Sequence, residues 1–255
     1  MKKTLGGKGA NLAEMTNLGV PVPPGFTIAA DQCMRYLAHG RVAEELRQEV
    51  AAALSQLEET SGKRFGDASN PLLVSVRSGA AVSMPGMMET ILNLGLNDDT
   101  VVGLATASSN ARFAWDSYRR FVQMYSDVVM GVPIHRFEQL LATKRLVTGA
   151  ASDAELSAEA LQSLVGEYHQ LVHAVTGHPF PHDPQVQLWG AIEAVWQSWT
   201  LKKAVDYRRV NGIAHDLGTA VNIVAMVFGN MGDDSGTRQR PGRGCGGRHS
   251  HAASH

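Results

Sequence analysis

Residues 72–98, LLVSVRSGAAVSMPGMMETILNLGLND, constrain the fold of this 255-residue chain more tightly than any other stretch. Residues 72–76 form a short apolar run behind the turn composition of residues 66–71, GDASNP, and read as a buried strand. Arg77 stands where that strand ends. Small residues follow, with a Met-Pro-Gly-Met-Met run that has neither helical nor strand periodicity. Strand ends in α/β proteins open into crevices where ligands bind. A guanidinium there serves either a structural ion pair or an external anion, and its planar fork matches two phosphate oxygens. No acid follows Arg77 before Glu89, which favours the external anion. The small, uncharged loop could then fold its backbone over a polyphosphate.

Composition bounds the partners. Hydrophobic content of 44%, charged content of 18% and a formal net charge of -1 describe a globular chain with no field for steering toward nucleic acid or a membrane. Cys33 and Cys245 are the only cysteines, so a disulfide framework is not expected and a cytoplasmic setting fits. The start, MKKTLGGKGANL, lacks the apolar core of a signal peptide. Residues 217–232, the longest uncharged apolar stretch apart from Asn222, Gly229 and Asn230, are too short and polar to span a bilayer.

Helical spacing of Leu12, Met15 and Leu18 predicts a helix from Lys8 to Leu18, stopped by Gly19. The prolines of residues 20–28, VPVPPGFTI, place an extended segment at a sheet edge. Asp31 is the expected N-cap of a short helix ending at Gly40. Residues 42–57 form another, with Leu46, Val50, Leu54 and Leu57 on one face. From about Asn110 the pattern is almost wholly helical, with Phe113, Phe121, Met124, Tyr125 and Val128 along one stripe. Ser152 and Glu155 form a capping-box signature expected to open a helix running to Gly177. After a linker at 177–184, Leu188, Ile192, Val195, Trp196 and Trp199 mark one more helix. Residues 218–228, GTAVNIVAMVF, return to strand composition. The expected class is α/β (α+β), with an α/β lobe over residues 1–100, a helical insert over 101–182 and a return to the lobe over 183–237. Residues 238–255, rich in Arg, Gly and His, lack the side chains for a core and are expected to be disordered.

Three further features could carry chemistry. Glycines before a helix expose backbone N–H groups at its positive end, and in GGKG, residues 6–9, Lys8 adds a cation; together they suit an anion or an exposed, idle lysine. This is not a Walker A loop, because Gly9 follows Lys8 in place of Ser or Thr. Asp233, Asp234, Ser235 and Thr237 lie in a loop after the last strand, suited to a metal–phosphate complex or a polar hairpin. His169 and His173, at i and i+4, have a zinc-compatible spacing with no third ligand near them in sequence, and read as exposed histidines.

Taken together and in order, LGGKGANLAEMTNLGVPVPPGFTI, PLLVSVRSGAAVSMPGMMETILNLGLND and GTAVNIVAMVFGNMGDDSGT closely resemble the N-terminal nucleotide-binding domain of the pyruvate, phosphate dikinase family. The resemblance runs from about Leu5 to Thr237. Related phosphoenolpyruvate synthases share the GGKG and VRS elements. The resemblance implies an ATP-grasp-like fold with ATP between two lobes, and a kinase (phosphotransferase) that uses ATP and phosphate to phosphorylate a histidine on a separate swinging domain. AMP and diphosphate leave, and a barrel domain passes the phosphoryl group to pyruvate to form phosphoenolpyruvate. It also implies that Lys8 and Arg77 are the phosphate-binding catalytic cations. Gly86 and Met88 would lie in the loop over the nucleotide, Thr237 would be a further nucleotide contact, and ATP and Mg2+ would be the cofactors.

The departures from the family pattern are specific. Val224 stands where the family has a glutamine near the adenine. Arg238 replaces the glycine that follows the family's GDDSGT. The family's magnesium-binding acids, histidine domain and barrel have no counterpart here, nor has its strand before GGKG. The change after Thr237 suggests truncation or a frame shift. GGRHSHAA, residues 246–253, echoes the family's phosphohistidine motif and would set His251 in the histidine's place, by chance or as a deletion remnant. The expected activity is therefore the ATP-binding part of a phosphotransfer enzyme, with any missing lobe and histidine domain on a partner chain. The alternatives are a non-catalytic anion- or nucleotide-binding module and a decayed fragment.

Overall fold

A computed structural model describes residues 1–231. The elements in chain order are α1 (Lys2–Asn17), β1 (Gly25–Ile28), α2 (Ala30–His39), α3 (Glu44–Ser61), β2 (Val74–Gly79), β3 (Thr90–Leu94), α4 (Thr100–Ser108) and α5 (Ala111–Val128). They continue with α6 (Ile134–Thr148), α7 (Ala158–Thr176), α8 (Pro184–Ser198), α9 (Lys202–Val210) and β4 (Ala220–Ala225). The four strands make one antiparallel sheet in the order β1-β4-β2-β3. The mixed α/β reading holds. Thr237, Asp233, Asp234, Ser235, Arg238, His251 and the expected tail disorder lie outside the described residues.

Strand registers divide the sheet into two chemically distinct faces. Phe26, Ile223, Val76 and Ile91 occupy one cross-strand row. Ile223, Val76 and Ile91 are fully buried in it. Thr27, Asn222, Arg77 and Thr90 occupy the adjacent row, and strand alternation turns them to the opposite face. Helix α8 packs behind the sheet, α5 against β3, and α1 lies along the sheet over β1, β4 and β2.

Most amphipathic patterns resolve as expected. Leu46, Val50, Leu54 and Leu57 of α3 are buried, as are Phe113, Phe121 and Tyr125 of α5 and Leu188, Ile192, Val195, Trp196 and Trp199 at α8. The Asn110 side chain caps α5 by accepting from the Phe113 N–H at 2.9 Å. At a transfer value of about 25 cal/mol per Å2, each such large side chain contributes about 1.5–3 kcal/mol when fully buried. Among the described residues no helix is long and apolar enough to cross a membrane.

Four local expectations are corrected. Strand β2 continues through Arg77 to Gly79, because β4 pairs with every residue from Val74 to Gly79. At α1, Met15 is 40% exposed and the C-cap Leu18 74% exposed, while Gly9 and Ala10 are buried. The helix lies too close to the sheet for larger side chains. Asp31 sits inside the first turn of α2, and the N-cap is Ala29. The Ser152–Glu155 capping box does not form: the Ser152 hydroxyl caps no backbone N–H and instead donates to Glu155 Oε1 at 3.2 Å, while Glu155 Oε2 accepts from the Ala151 N–H at 2.9 Å. These residues make only a single 3-10 turn, Asp153–Glu155; α7 starts beyond it, capped by Ser157, whose hydroxyl oxygen accepts from the Ala160 N–H.

One charge cluster lies within the helical packing. Asp116 and Arg119 of α5 are buried and meet at 2.7 Å, and Arg120 reaches the second Asp116 oxygen at 2.9 Å. Removing one member of such a pair strands a buried charge, at about 3–5 kcal/mol. Asp116→Ala is therefore expected to lower the urea-unfolding free energy by about 3 kcal/mol. A loss below about 1 kcal/mol would show that Arg119 is solvated in the folded state.

Candidate functional site

The polar row fixes where α1 can sit. Thr27 donates to Asn222 Oδ1 at 3.0 Å, and Asn222 Nδ2 reaches the Arg77 carbonyl at 3.4 Å. A Cβ on Gly9 would fall 2.9 Å from Asn222 Oδ1 and 3.0 Å from Thr27 Oγ1, so only glycine lets the helix rest on this row. Gly6 adopts φ 70° and breaks the helix, and a Cβ there would lie 1.6 Å from the Gly79 carbonyl oxygen. The Gly7 N–H donates to the Ala80 carbonyl at 2.9 Å. Backbone thus meets backbone where α1 crosses the end of β2.

That contact delivers Lys8 to the strand end. Its Nζ donates to the Ser78 carbonyl at 3.0 Å. The side chain as a whole is exposed, yet its ammonium is drawn back onto the protein. Partial burial, reinforced by the nearby Arg77 charge, lowers the Lys8 pKa below its ordinary value of 10.5. Among the described residues, neither Lys8 nor Arg77 has a carboxylate within ion-pair distance. Glu89, the first acid after Arg77 in sequence, is held instead by Lys203 at 2.6 Å. Two neighbouring cations without a counter-charge make this corner favourable for an anion.

The segment between β2 and β3 closes the other side. Met84 is buried, the Met87 N–H donates to the Met84 carbonyl at 3.2 Å, and the Ser198 hydroxyl approaches the Met88 sulfur at 3.8 Å. The Met-rich stretch is therefore pinned at two methionines, with Gly86 at its turn. Together with α1 it encloses a cavity of roughly 390 Å3 whose lining includes Lys8, Ser78, Ser83, Gly86, Met88 and Thr90. Arg77 flanks this cavity from the neighbouring strand position.

The structure thus brings Lys8, Gly86 and Met88 into one cavity with Arg77 beside it. It does not bring Val224 there. Val224 lines a separate cleft of roughly 740 Å3 with Leu12, Pro24 and Phe26, on the other side of α1. A third cleft, roughly 600 Å3, lies between α2 and α3 and contains both acids and cations, so it lacks the charge asymmetry of the Lys8 cavity. Thr27, Asn222 and Thr90 escape sequence reading, although a lone amide inside AVNIVA, residues 220–225, is a signal that a buried polar group has a partner to find. His169 and His173 do not share a site; His173 is exposed, and His169 stacks on Phe180.

Comparison with known proteins bears on this geometry. The chain matches the family described as "Pyruvate phosphate dikinase, AMP/ATP-binding domain" over residues 2–61 and 42–238. It is 55% identical over 234 residues to a pyruvate, phosphate dikinase of Rhizobium meliloti (strain 1021), covering 91% of this chain and 26% of the relative. Against the Giardia intestinalis pyruvate, phosphate dikinase it is 54% identical over 236 residues, covering 92% and 27%, respectively. The protein of the same name from Clostridium symbiosum is 51% identical over 239 residues, covering 93% of this chain and 27% of its own length. The chain therefore spans about a quarter of the length of these relatives.

The close approach of α1 generates a test independent of any ligand. Gly6→Ala puts a methyl group onto backbone and forces a left-handed φ on alanine, a strain of about 1–3 kcal/mol. We expect amide exchange to accelerate across α1 and around Gly79 while α5 and α8 keep their protection. Unchanged exchange in α1 would mean the contact is not what seats the helix.

Proposed function

The chain belongs to the family of pyruvate phosphate dikinase AMP/ATP-binding domains, and on that premise we propose that the cavity beside α1 holds the polyphosphate of ATP. The observation that carries this reading is the nearness of Lys8 to Arg77 of β2 without any carboxylate in ion-pair distance of either among the described residues. In this reading the sheet and its helices form one lobe of an ATP-grasp-like site, residues 101–182 are a helical insert, and a second lobe covers the nucleotide.

Phosphoryl transfer asks a protein for cations on the spreading negative charge and for exclusion of water more than for covalent help. Lys8 supplies a point charge, held ready by the Ser78 carbonyl. Arg77 supplies a planar pair of donors. The backbone around Gly86 closes over the phosphates, and Met88 keeps that wall apolar. No His, Asp or Glu of the described residues lines the cavity, so the phosphoryl acceptor comes from another domain or chain. We place this chain in the first half-reaction. ATP and phosphate become AMP and diphosphate while a histidine elsewhere takes up one phosphoryl group, later passed to pyruvate.

Mg2+ commonly accompanies ATP and is held through one or two carboxylates together with the phosphates. The described cavity offers hydroxyls and an amide but no carboxylate. That donor set does not fit a protein-held Mg2+, and no step is assigned to the metal.

Titration of the purified chain with MgATP tests the reading. We expect saturable binding that Arg77→Ala weakens about tenfold to a hundredfold, the loss of one charge-assisted contact. Equal binding by Arg77→Ala, or none by a protein shown to be folded, would sink it. A pH series adds a second readout. A bound anion favours charged Lys8, so affinity is full below the depressed Lys8 pKa and falls as pH rises through it, below 10.5. Lys8→Arg should remove that fall; the same fall in the variant would exclude Lys8 as the titrating group.

A further inference from the structure

At the end of β3 away from the nucleotide cavity, three potential metal ligands converge from parts of the chain far apart in sequence. Asp98 lies four residues past β3, His169 is on α7, and His182 is in the connection from α7 to α8. One ligand atom from each falls within 4.8 Å of the others. We propose that Asp98, His169 and His182 bind a transition-metal dication of the zinc class, with water completing the coordination.

The backbone under each ligand is anchored. Asn97, buried beside Asp98, donates from Nδ2 to the His182 carbonyl at 3.0 Å, and its Oδ1 accepts from the Asp99 and Thr100 N–H groups. Gln187, fully buried, donates to the Pro181 carbonyl at 2.8 Å. Phe180 is 2% exposed and stacks on the His169 ring at 5.3 Å with the planes 16° apart. The segment carrying His182 is thus tied down on both sides of the histidine.

The carboxylate is also prepared. The buried Tyr118 hydroxyl donates to Asp98 Oδ1 at 3.1 Å, which orients the group and leaves Oδ2 facing His182 Nδ1 at 3.5 Å. Hydrogen bonds of this kind from an outer residue orient a ligating carboxylate. Zinc–ligand distances of about 2.0–2.2 Å put tetrahedral ligand atoms about 3.3 Å apart. The Asp98–His182 separation is already near that value. Both side chains are about half exposed and can close on the more buried His169 by rotation alone.

The ligand chemistry selects the metal class. Two imidazoles with one carboxylate suit zinc and its transition-metal neighbours, whereas Mg2+ and Ca2+ favour all-oxygen sets. Three protein ligands leave one tetrahedral position for water. A bound ion would clip the α7–α8 connection to the turn after β3.

The test uses the full chain with Cys245→Ser, His249→Gln, His251→Gln and His255→Gln, which removes competing thiol and imidazole ligands from the last residues. Zn2+ titration should show one site per chain and a rise in Tm, by mass action on the folded state. Co2+ should give the visible absorption of tetrahedral coordination. Asp98→Asn and His182→Gln, at half-exposed positions, should each weaken Zn2+ at least tenfold, and His169→Ala should abolish the Co2+ spectrum. Zinc affinity unchanged in His182→Gln and Asp98→Asn would overturn the proposal, as would no binding by the folded background protein. Either result would leave these residues a hydrogen-bonded cluster only.

Discussion

The rest of the site depends on a backbone-to-backbone contact. At Gly6, where a Cβ would fall 1.6 Å from the Gly79 carbonyl oxygen, there is no room for even one methyl group between helix α1 and strand β2. Because the helix axis is that close, Lys8 reaches the Ser78 carbonyl and lies near the Arg77 charge. A helix displaced by an ordinary side-chain layer would carry Lys8 out into water, where the two cations would no longer act on the same anion. The glycines of GGKG therefore serve packing first, and through it they place Lys8 on the Ser78 carbonyl.

The sheet supports this arrangement by dividing its labour between two faces. The row Phe26–Ile223–Val76–Ile91 faces the apolar core, and the row Thr27–Asn222–Arg77–Thr90 faces α1 and the cavity. Asn222 is 1% exposed, and its amide links Thr27 to the Arg77 backbone. An apolar residue there would leave the Thr27 hydroxyl without its acceptor under α1 and remove a fixed point from the arginine's strand. The charge asymmetry of the site follows from the same economy: Glu89 faces Lys203, so the first acid after Arg77 in sequence does not neutralise it.

Much of this was legible in the residues themselves. The leucine and valine spacing of α3 and the aromatic stripe of α5 report a one-dimensional period that survives folding, because a helix buries one face whatever lies opposite. The strand composition of residues 72–76 and 218–228 is equally plain, and β2 and β4 form there over Val74–Gly79 and Ala220–Ala225. The expected helix from Lys8 to Leu18 falls almost wholly within α1, Lys2–Asn17, but it buries a different face from the one its leucines mark. Periodicity weighs large apolar residues, and here glycine and alanine make the contact. A charge interrupting an apolar run suggests that the strand ends at Arg77, yet β4 pairs with it directly and carries the strand on to Gly79. The Ser152–Glu155 spacing matches a capping box, yet only a three-residue 3-10 turn forms there and Ser157 caps the helix.

The sequence by itself determined the α/β class, the order of most elements, the family, and Lys8 and Arg77 as the cations worth watching. These follow from composition, period and motif, which are properties of neighbouring residues. Tertiary structure alone decided that Lys8 and Arg77 share one corner, that Glu89 is occupied elsewhere, and that Asn222 and Thr27 seat the helix between them. It also decided that His169 meets Asp98 and His182, not the His173 one turn away. Each of these is a juxtaposition across tens to hundreds of residues, set by strand register and by the distance at which a helix can rest on a sheet. No local pattern encodes such a distance; only the packed chain does.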